Sequence, residues 1–217
     1  MPAKKQIAIV DPHPVTILGL TYLLESTNQF EVVVREVNSD KGFFQIVEQT
    51  PDIVIMELEL EGRGAITLAD DITSRLPATR LMFYSGFLTD VFLHIALELN
   101  VAAFLDKSES YTKVLEAVQL VATGKRYFSP TAELRLHIDN KGKYSVPSQS
   151  YLTSLTLRQI QVLRHLVRGE SVKEVARAMR LSERAVESHK YRIMQKLEIH
   201  DRVELTRYAI REGLMPA

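Results

Sequence analysis

The chain contains no cysteine. That removes disulfides, thiolate catalysis and cysteine-ligated metal from consideration, and it leaves the redox compartment unreported. Also missing is any apolar run approaching the roughly 20 residues that a bilayer span needs. The opening MPAKKQIAIV lacks the length of a signal-peptide core, so a soluble chain that is not exported is expected. No internal repeat, low-complexity tract or Gly-rich phosphate loop is found. An excess of either charge is absent too, since 27 Lys+Arg balance 27 Asp+Glu.

What is present is an ordinary globular composition, 46% hydrophobic and 25% charged over 217 residues, enough for one or two domains. The neutral total conceals an asymmetry. Residues 1–144 hold 14 Lys+Arg and 19 Asp+Glu, a net of −5, whereas residues 145–217 hold 13 and 8, a net of +5. An acidic module followed by a basic one hints at a nucleic-acid partner for the second.

Along the first module, apolar runs alternate with amphipathic stretches. QIAIV, FEVVVREV, DIVIME, RLMFYS and AAFLDK are each followed by a helix-length segment, at 14–26, 40–49, 65–75, 89–99 and 110–123. Short runs bounded by turn residues and followed by helices are βα units. Five of them predict an α/β fold, a five-stranded doubly wound parallel sheet over 1–128. Ligand sites in that architecture lie outside the carboxyl ends of the strands. Asp11, Glu57, Ser85 and Lys107 all fall at that edge. After Phe128 the pattern stops: a short helix is expected near 130–138. A polar linker with Gly142, Pro147 and three serines then closes the 129–150 interval.

From 151 to 217 every periodic segment is helical. Thr156, Ser171 and Ser182 are expected to cap helices reaching Arg168, Met179 and about Leu197, and a fourth spans Val203 to Arg211. The middle pair forms a helix-turn-helix. In the third helix Val186, His189, Ile193 and Leu197 face the core, leaving Arg184, Glu187, Ser188, Tyr191 and Gln195 outside. A carboxylate, a hydroxyl, a phenol and an amide flanked by Lys190, Arg192 and Lys196 suit a major-groove reader, with cations for phosphates. A merely solvated helix face is the plainer alternative.

The stretch Leu155 to Ile199, with LTxRxxxVLxxLxxG, VxxVAxxM and SxxxVESHxxRIMxKL in order, resembles the DNA-binding domain of LuxR/NarL-type response regulators. The resemblance implies base-facing Arg184, Glu187, Ser188 and Tyr191. Ser182, Lys190, Arg192 and Lys196 would face the backbone, with Arg184 also a candidate for phosphate. It further implies double-stranded DNA as partner, homodimers on paired half-sites about one helical turn apart or closer, and a bacterial cytoplasmic setting. Arg180 stands in the turn where that family often has glycine or asparagine. A positive φ there would cost about 1 kcal/mol.

With that domain behind it, the first module resembles a response-regulator receiver. Such a receiver uses acids after its first strand to hold Mg²⁺, an aspartate after the third as phosphoryl acceptor, a Ser/Thr after the fourth and a Lys after the fifth. Metal and lysine neutralise charge on the transferring phosphoryl group. Ser85 and Lys107 match, and Phe104 occupies the switch-aromatic position. Asp11 is kept, but Pro12 replaces the second acid, so a hard cation loses a ligand. Glu57 stands at the acceptor position. Its carboxylate reaches about 1.5 Å further than that of aspartate, toward the volume a phosphoryl group occupies, where it would pair with Lys107 and accept from Ser85. With roughly −1.5 to −2 charge on a phosphoryl group, the imitation is partial. The expectation is a degenerate receiver held near an active-like state, without metal, cofactor or catalytic residue. Glu59 and Glu61 are read as solvating the loop, and His13 as packing against or capping the first helix.

Three alternatives stay open at this point. The receiver could be switched by a sensor kinase through atypical acceptor chemistry, or by a regulatory protein docking on it. The Asp11, Glu57, Ser85, Lys107 edge could belong to a phosphatase-like enzyme. The helix-turn-helix could serve a partner protein in a pure interaction module.

Overall fold

The protein is described from a computed structural model covering residues 3–140, 143–147 and 150–215; Gly142 and Ser148 of the expected linker lie outside the described residues. It divides into two compact units, 1–88 with 96–136, and 89–95 with 137–217.

The first is a parallel sheet. Its strands are β1 (Lys5–Val10), β2 (Phe30–Glu36), β3 (Ile53–Met56), β4 (Arg80–Ser85), β5 (Ala103–Asp106) and β6 (Tyr127–Phe128), in the order β2-β1-β3-β4-β5-β6. Between them run α1 (Pro14–Glu25), α2 (Ser39–Gln49), α3 (Ala65–Arg75) and α5 (Tyr111–Ala122); α4 (Asp90–Glu98) follows β4 in the chain, its residues up to 95 grouped with the second unit. The strands form because each is a short β-branched run with both faces covered: β3, Ile-Val-Ile-Met, is buried at all four positions. On one face Ile7, Ile9, Ile53, Ile55 and Leu105 pack with Ile17, Leu20 and Leu24 of α1 and with Val114, Val118 and Val121 of α5. Each such side chain, fully buried, contributes about 1.5–3 kcal/mol. On the other face a methyl at Gly42 would stand 3.1 Å from Val10 Cγ2, so glycine there lets α2 lie close to β1.

The sheet has six strands where five were expected. The sixth is two residues long, pairing Tyr127 with Ala103 and Phe128 with Phe104, and so brief a strand leaves no alternation to read. The short helix expected to reach residue 138 is a single turn, α6 (Pro130–Glu133), with the Ser129 side chain accepting from Ala132 N. Within the expected linker lies a small antiparallel pair, β7 (His137–Ile138) with β8 (Tyr144–Ser145).

In the second unit a 3-10 turn (Tyr151–Ser154) leads into α7 (Leu157–Val167), α8 (Val172–Met179), α9 (Glu183–Leu197) and α10 (Arg202–Arg211). The caps are those the sequence predicts. Thr156 with Gln159, and Ser171 with Glu174, form capping boxes, and Ser182 accepts from Ala185 N. Arg180 closes α8 in the left-handed conformation, φ 53° and ψ 44°, with Leu181 N bonded to Ala176 O at 2.9 Å. Among the described residues no helix is long and apolar enough to cross a membrane.

Candidate functional site

Strand order places the first cluster. The chain steps from β1 out to β2 and returns to the other side of β1 as β3, which opens a crevice beyond the carboxyl ends of those two neighbours. Val10 pairs with Met56, so the next residues, Asp11 and Glu57, emerge side by side. Both are nearly sealed from solvent, at 2% and 5% exposure. Lys107 follows β5, two strands away, and its long side chain reaches back past the end of β4. The ammonium stands 2.6 Å from Asp11 Oδ2 and 2.8 Å from Glu57 Oε2.

The remaining carboxylate oxygens are engaged as well. Leu58 N donates to Glu57 Oε1 at 2.6 Å, and His13 N donates to Asp11 Oδ1 at 2.8 Å, with His13 Nδ1 3.0 Å from the same atom. Burial works to lower the Lys107 pKa. The hydrogen bonds and charges of Asp11 and Glu57 outweigh it and hold the ammonium above the ordinary lysine value. Burial likewise raises the nearby Tyr84 phenol, opposed in part by Lys107, whose ammonium lies 5.9 Å from the Tyr84 ring centroid.

A receiver pocket of the ordinary kind implies a divalent cation, and these residues do not fit one. A hard cation needs carboxylate oxygens to spare. Pro12 has no side-chain oxygen to add, and the Lys107 ammonium already bridges Asp11 and Glu57, so a cation there would meet a resident positive charge. Among the described residues no three His, Asp or Glu side chains are grouped to hold a metal.

The expected hydrogen bond from Ser85 to Glu57 is not formed. Ser85 is fully buried at the end of β4, and its Oγ accepts from Phe87 N at 3.1 Å. The bond from Phe87 N uses a lone pair of the hydroxyl and fixes where Oγ sits as the chain leaves the strand. Phe104 is completely buried, edge-on to Phe83 at 5.7 Å between ring centres. Glu61 is exposed, and it is its carbonyl oxygen that accepts, from Ser39 N and Oγ. His13 precedes α1 without a side-chain capping bond. Its contact with Asp11 went unread, although the Asp-x-His spacing was the available signal.

The second cluster is the outer face of α9. Val186 and Ile193 are fully buried and Leu197 nearly so, while His189 is half-buried with Nδ1 lacking a partner among the described residues. Burial, then the charges of Arg158 and Arg192, lower the His189 pKa. On the opposite side Arg184, Glu187, Ser188 and Tyr191, spaced three, four and seven apart, are exposed in one stripe. Tyr191 is 67% exposed. Arg192 is exposed beside them, and Lys190, half-buried, lies 3.4 Å from Glu187.

Two expected phosphate contacts are already occupied in part. Ser182 Oγ accepts the Ala185 N–H as a helix cap. The Lys196 ammonium donates to Ser154 O at 2.7 Å and to Gln159 Oε1 at 3.1 Å, tying α9 to the 3-10 turn and to the first turn of α7. Lys196 therefore has a structural duty that helical spacing does not reveal. Arg202 does similar work from α10, donating to Leu166 O and Glu170 O at 2.6 Å each.

Comparison with known proteins gives a family match in each half of the chain. Residues 7–119 match the response regulator receiver domain, and residues 153–209 match the luxR family of bacterial regulatory proteins. The chain is 26% identical over 212 residues to the response regulator GacA of Pseudomonas protegens, covering 98% of each. It is 25% identical over 214 residues to the oxygen regulatory protein NreC of Staphylococcus carnosus, covering 97% of this chain and 99% of that one. The RcsB response regulator of Salmonella typhimurium shares the fold, with a TM-score of 0.72 at 20% identity over 97% of this chain and 98% of that chain. With the receiver match alone spanning more than half of its length, the chain belongs to the two-component response regulators that join a receiver to a luxR-family domain, a family of DNA-binding transcription regulators.

Proposed function

We propose that the chain is a sequence-specific transcription regulator that binds duplex DNA as a homodimer and whose receiver acts without conventional aspartyl phosphorylation. The observation that carries the second half is the Lys107 ammonium held between Asp11 and Glu57. The lysine that would neutralise an incoming phosphoryl group is already neutralised by a resident carboxylate, in a pocket where Pro12 supplies no side-chain oxygen for a divalent cation.

The DNA-reading half rests on the exposed stripe of α9. Glu187 can accept from cytosine N4, Ser188 can contact either partner of a pair, and Tyr191 offers a hydroxyl and a ring. Arg184, Lys190 and Arg192 supply cations for phosphates. RcsB of Salmonella enterica has been described bound to a promoter, in a structure that resembles this chain at a TM-score of 0.71, which supports the same use of this domain.

The test is selection of sites from a random duplex pool by the untreated full-length chain, followed by affinity for the selected site across a salt series. The proposal expects a selective site and a steep fall of affinity with salt. Unselective binding by the untreated chain, made selective only by phosphoryl donors, would overturn the proposal.

A further inference from the structure

Outside the stripe of α9, the second unit carries another set of cations. Lys173 and Arg177, four residues apart on α8, are exposed on the side turned away from the buried Val175, Ala176 and Met179. Arg180 follows in the turn and is exposed as well. Among the described residues none of these three side chains forms an ion pair or a hydrogen bond. Two acids lie close in sequence. The Glu174 carboxylate accepts from Ser171 N at 2.7 Å and from Ser171 Oγ at 2.6 Å, and Arg177 acts on it only through its charge. Glu183 is exposed in the first turn of α9.

Arg180 is the member that a solvated helix face does not account for. It holds φ 53° and ψ 44°, a left-handed conformation that disfavours any residue with a Cβ. The turn itself draws only on the backbone, through Leu181 N bonded to Ala176 O at 2.9 Å. Glycine would serve that turn without strain, so what the arginine adds is its side chain. That side chain is tied to nothing within the described residues, which places its counterpart outside the chain.

In a helix-turn-helix the first helix crosses the nucleic-acid backbone while the second enters the major groove by its N-terminal residues. The turn between them therefore stands where the groove meets the phosphates, and uncancelled guanidinium groups there fit phosphate oxygens. We infer that Lys173, Arg177 and Arg180 form a phosphate-binding row on α8 and its turn, separate from the cations of α9, with Arg180 reaching the DNA backbone from its strained position. The inference rests on the DNA-binding reading given above. It adds to that reading three residues that carry affinity without sequence preference.

The test measures affinity of the full-length chain for a labelled duplex of random sequence and fixed length, by fluorescence anisotropy between about 50 and 200 mM salt. Random sequence is the right probe because phosphate contacts do not depend on the bases. Arg177→Gln and Arg180→Gln should each reduce the slope of log affinity against log salt by about 0.9, and the double variant by about 1.8. Arg180→Lys, which keeps the charge, should retain the parent slope. Lys125→Ala, which removes an exposed cation of the sheet unit, should leave it unchanged. Thermal unfolding of the same variants checks that each is folded. A parent slope retained by the double variant would overturn the inference and leave the reading by α9 standing. An equal loss in Lys125→Ala and Arg180→Gln would reduce the effect to net charge and overturn it as well. A parent that shows no salt-dependent duplex binding would overturn both this inference and the proposed function. A parent that binds with a steep slope and loses it as expected, yet selects no site, would support the inference and sink the sequence-specific function alone.

Discussion

Lys107 Nζ stands 2.8 Å from Glu57 Oε2 in a pocket where Glu57 is only 5% exposed. One ammonium shared between two carboxylates makes the lysine the member whose loss is felt most, since its removal leaves Asp11 and Glu57 buried side by side with like charge. Lys107→Met is expected to destabilise the sheet unit by about 3 kcal/mol, the low end for a broken buried pair because the lysine is partly solvated. Glu57→Gln, which keeps an acceptor for Leu58 N and leaves Asp11 paired, should cost about 1 kcal/mol. Urea unfolding followed by circular dichroism checks both. A larger loss for Glu57→Gln than for Lys107→Met would contradict the arrangement.

The same contact has a pH signature. The folded-state pKa of Lys107 is raised above its ordinary 10.5. Its contribution is therefore complete below that ordinary value and is lost as pH rises through the folded pKa. The stability gap between parent and Lys107→Met should stay constant from neutral pH to about 10 and narrow above. Unfolding titrations at alkaline pH test this, and a gap already closing near neutrality would count against it.

His189 gives the opposite dependence in the second unit. Its pKa is lowered by burial and by Arg158 and Arg192, so the folded form favours neutral imidazole. Stability should be full above the ordinary 6.5 and fall as pH drops through the folded pKa. His189→Leu, which removes the titrating ring and its unpartnered nitrogen, should flatten that acid limb, as measured by thermal unfolding between pH 7 and pH 5.

Arg180 holds φ at 53° at the end of α8. Arg180→Gly should stabilise the second unit by about 1 kcal/mol, because glycine adopts that conformation without a Cβ clash. A lower melting temperature for the variant would show that the arginine side chain contributes more than its backbone costs.

On α9, side chains with different duties should fail differently. Glu187→Ala or Tyr191→Ala is expected to relax preference at one position of the selected site by about 1–3 kcal/mol. Arg192→Ala should weaken all sequences alike and reduce the salt slope by about one. Lys196→Ala should instead act first on stability, by about 1.5 kcal/mol, through loss of its bonds to Ser154 and Gln159. Competition binding and unfolding on the same variants separate the two classes.

These contrasts mark what the sequence could and could not convey. QIAIV, DIVIME and RLMFYS became β1, β3 and β4 within a residue or two because each is an apolar run bounded by turn residues. The gathering of Asp11, Glu57 and Lys107 was legible for the same reason: each directly follows a strand, and parallel strands deliver their ends to one edge. The turn of the Ser85 hydroxyl toward Phe87 was not, since it depends on how the chain leaves β4. Lys196 escaped because its partners lie 37 and 42 residues away. β6, two residues long, offered no period to detect.

The central claim is tested most directly by measuring affinity of the full-length chain for its selected DNA site before and after incubation with acetyl phosphate and Mg²⁺, with intact mass recorded on the same samples. The account predicts tight selective binding at the outset, unchanged affinity afterwards and no phosphoryl adduct. A stable adduct accompanied by a large gain in affinity would contradict it, and would place the control of this regulator back in phosphoryl transfer.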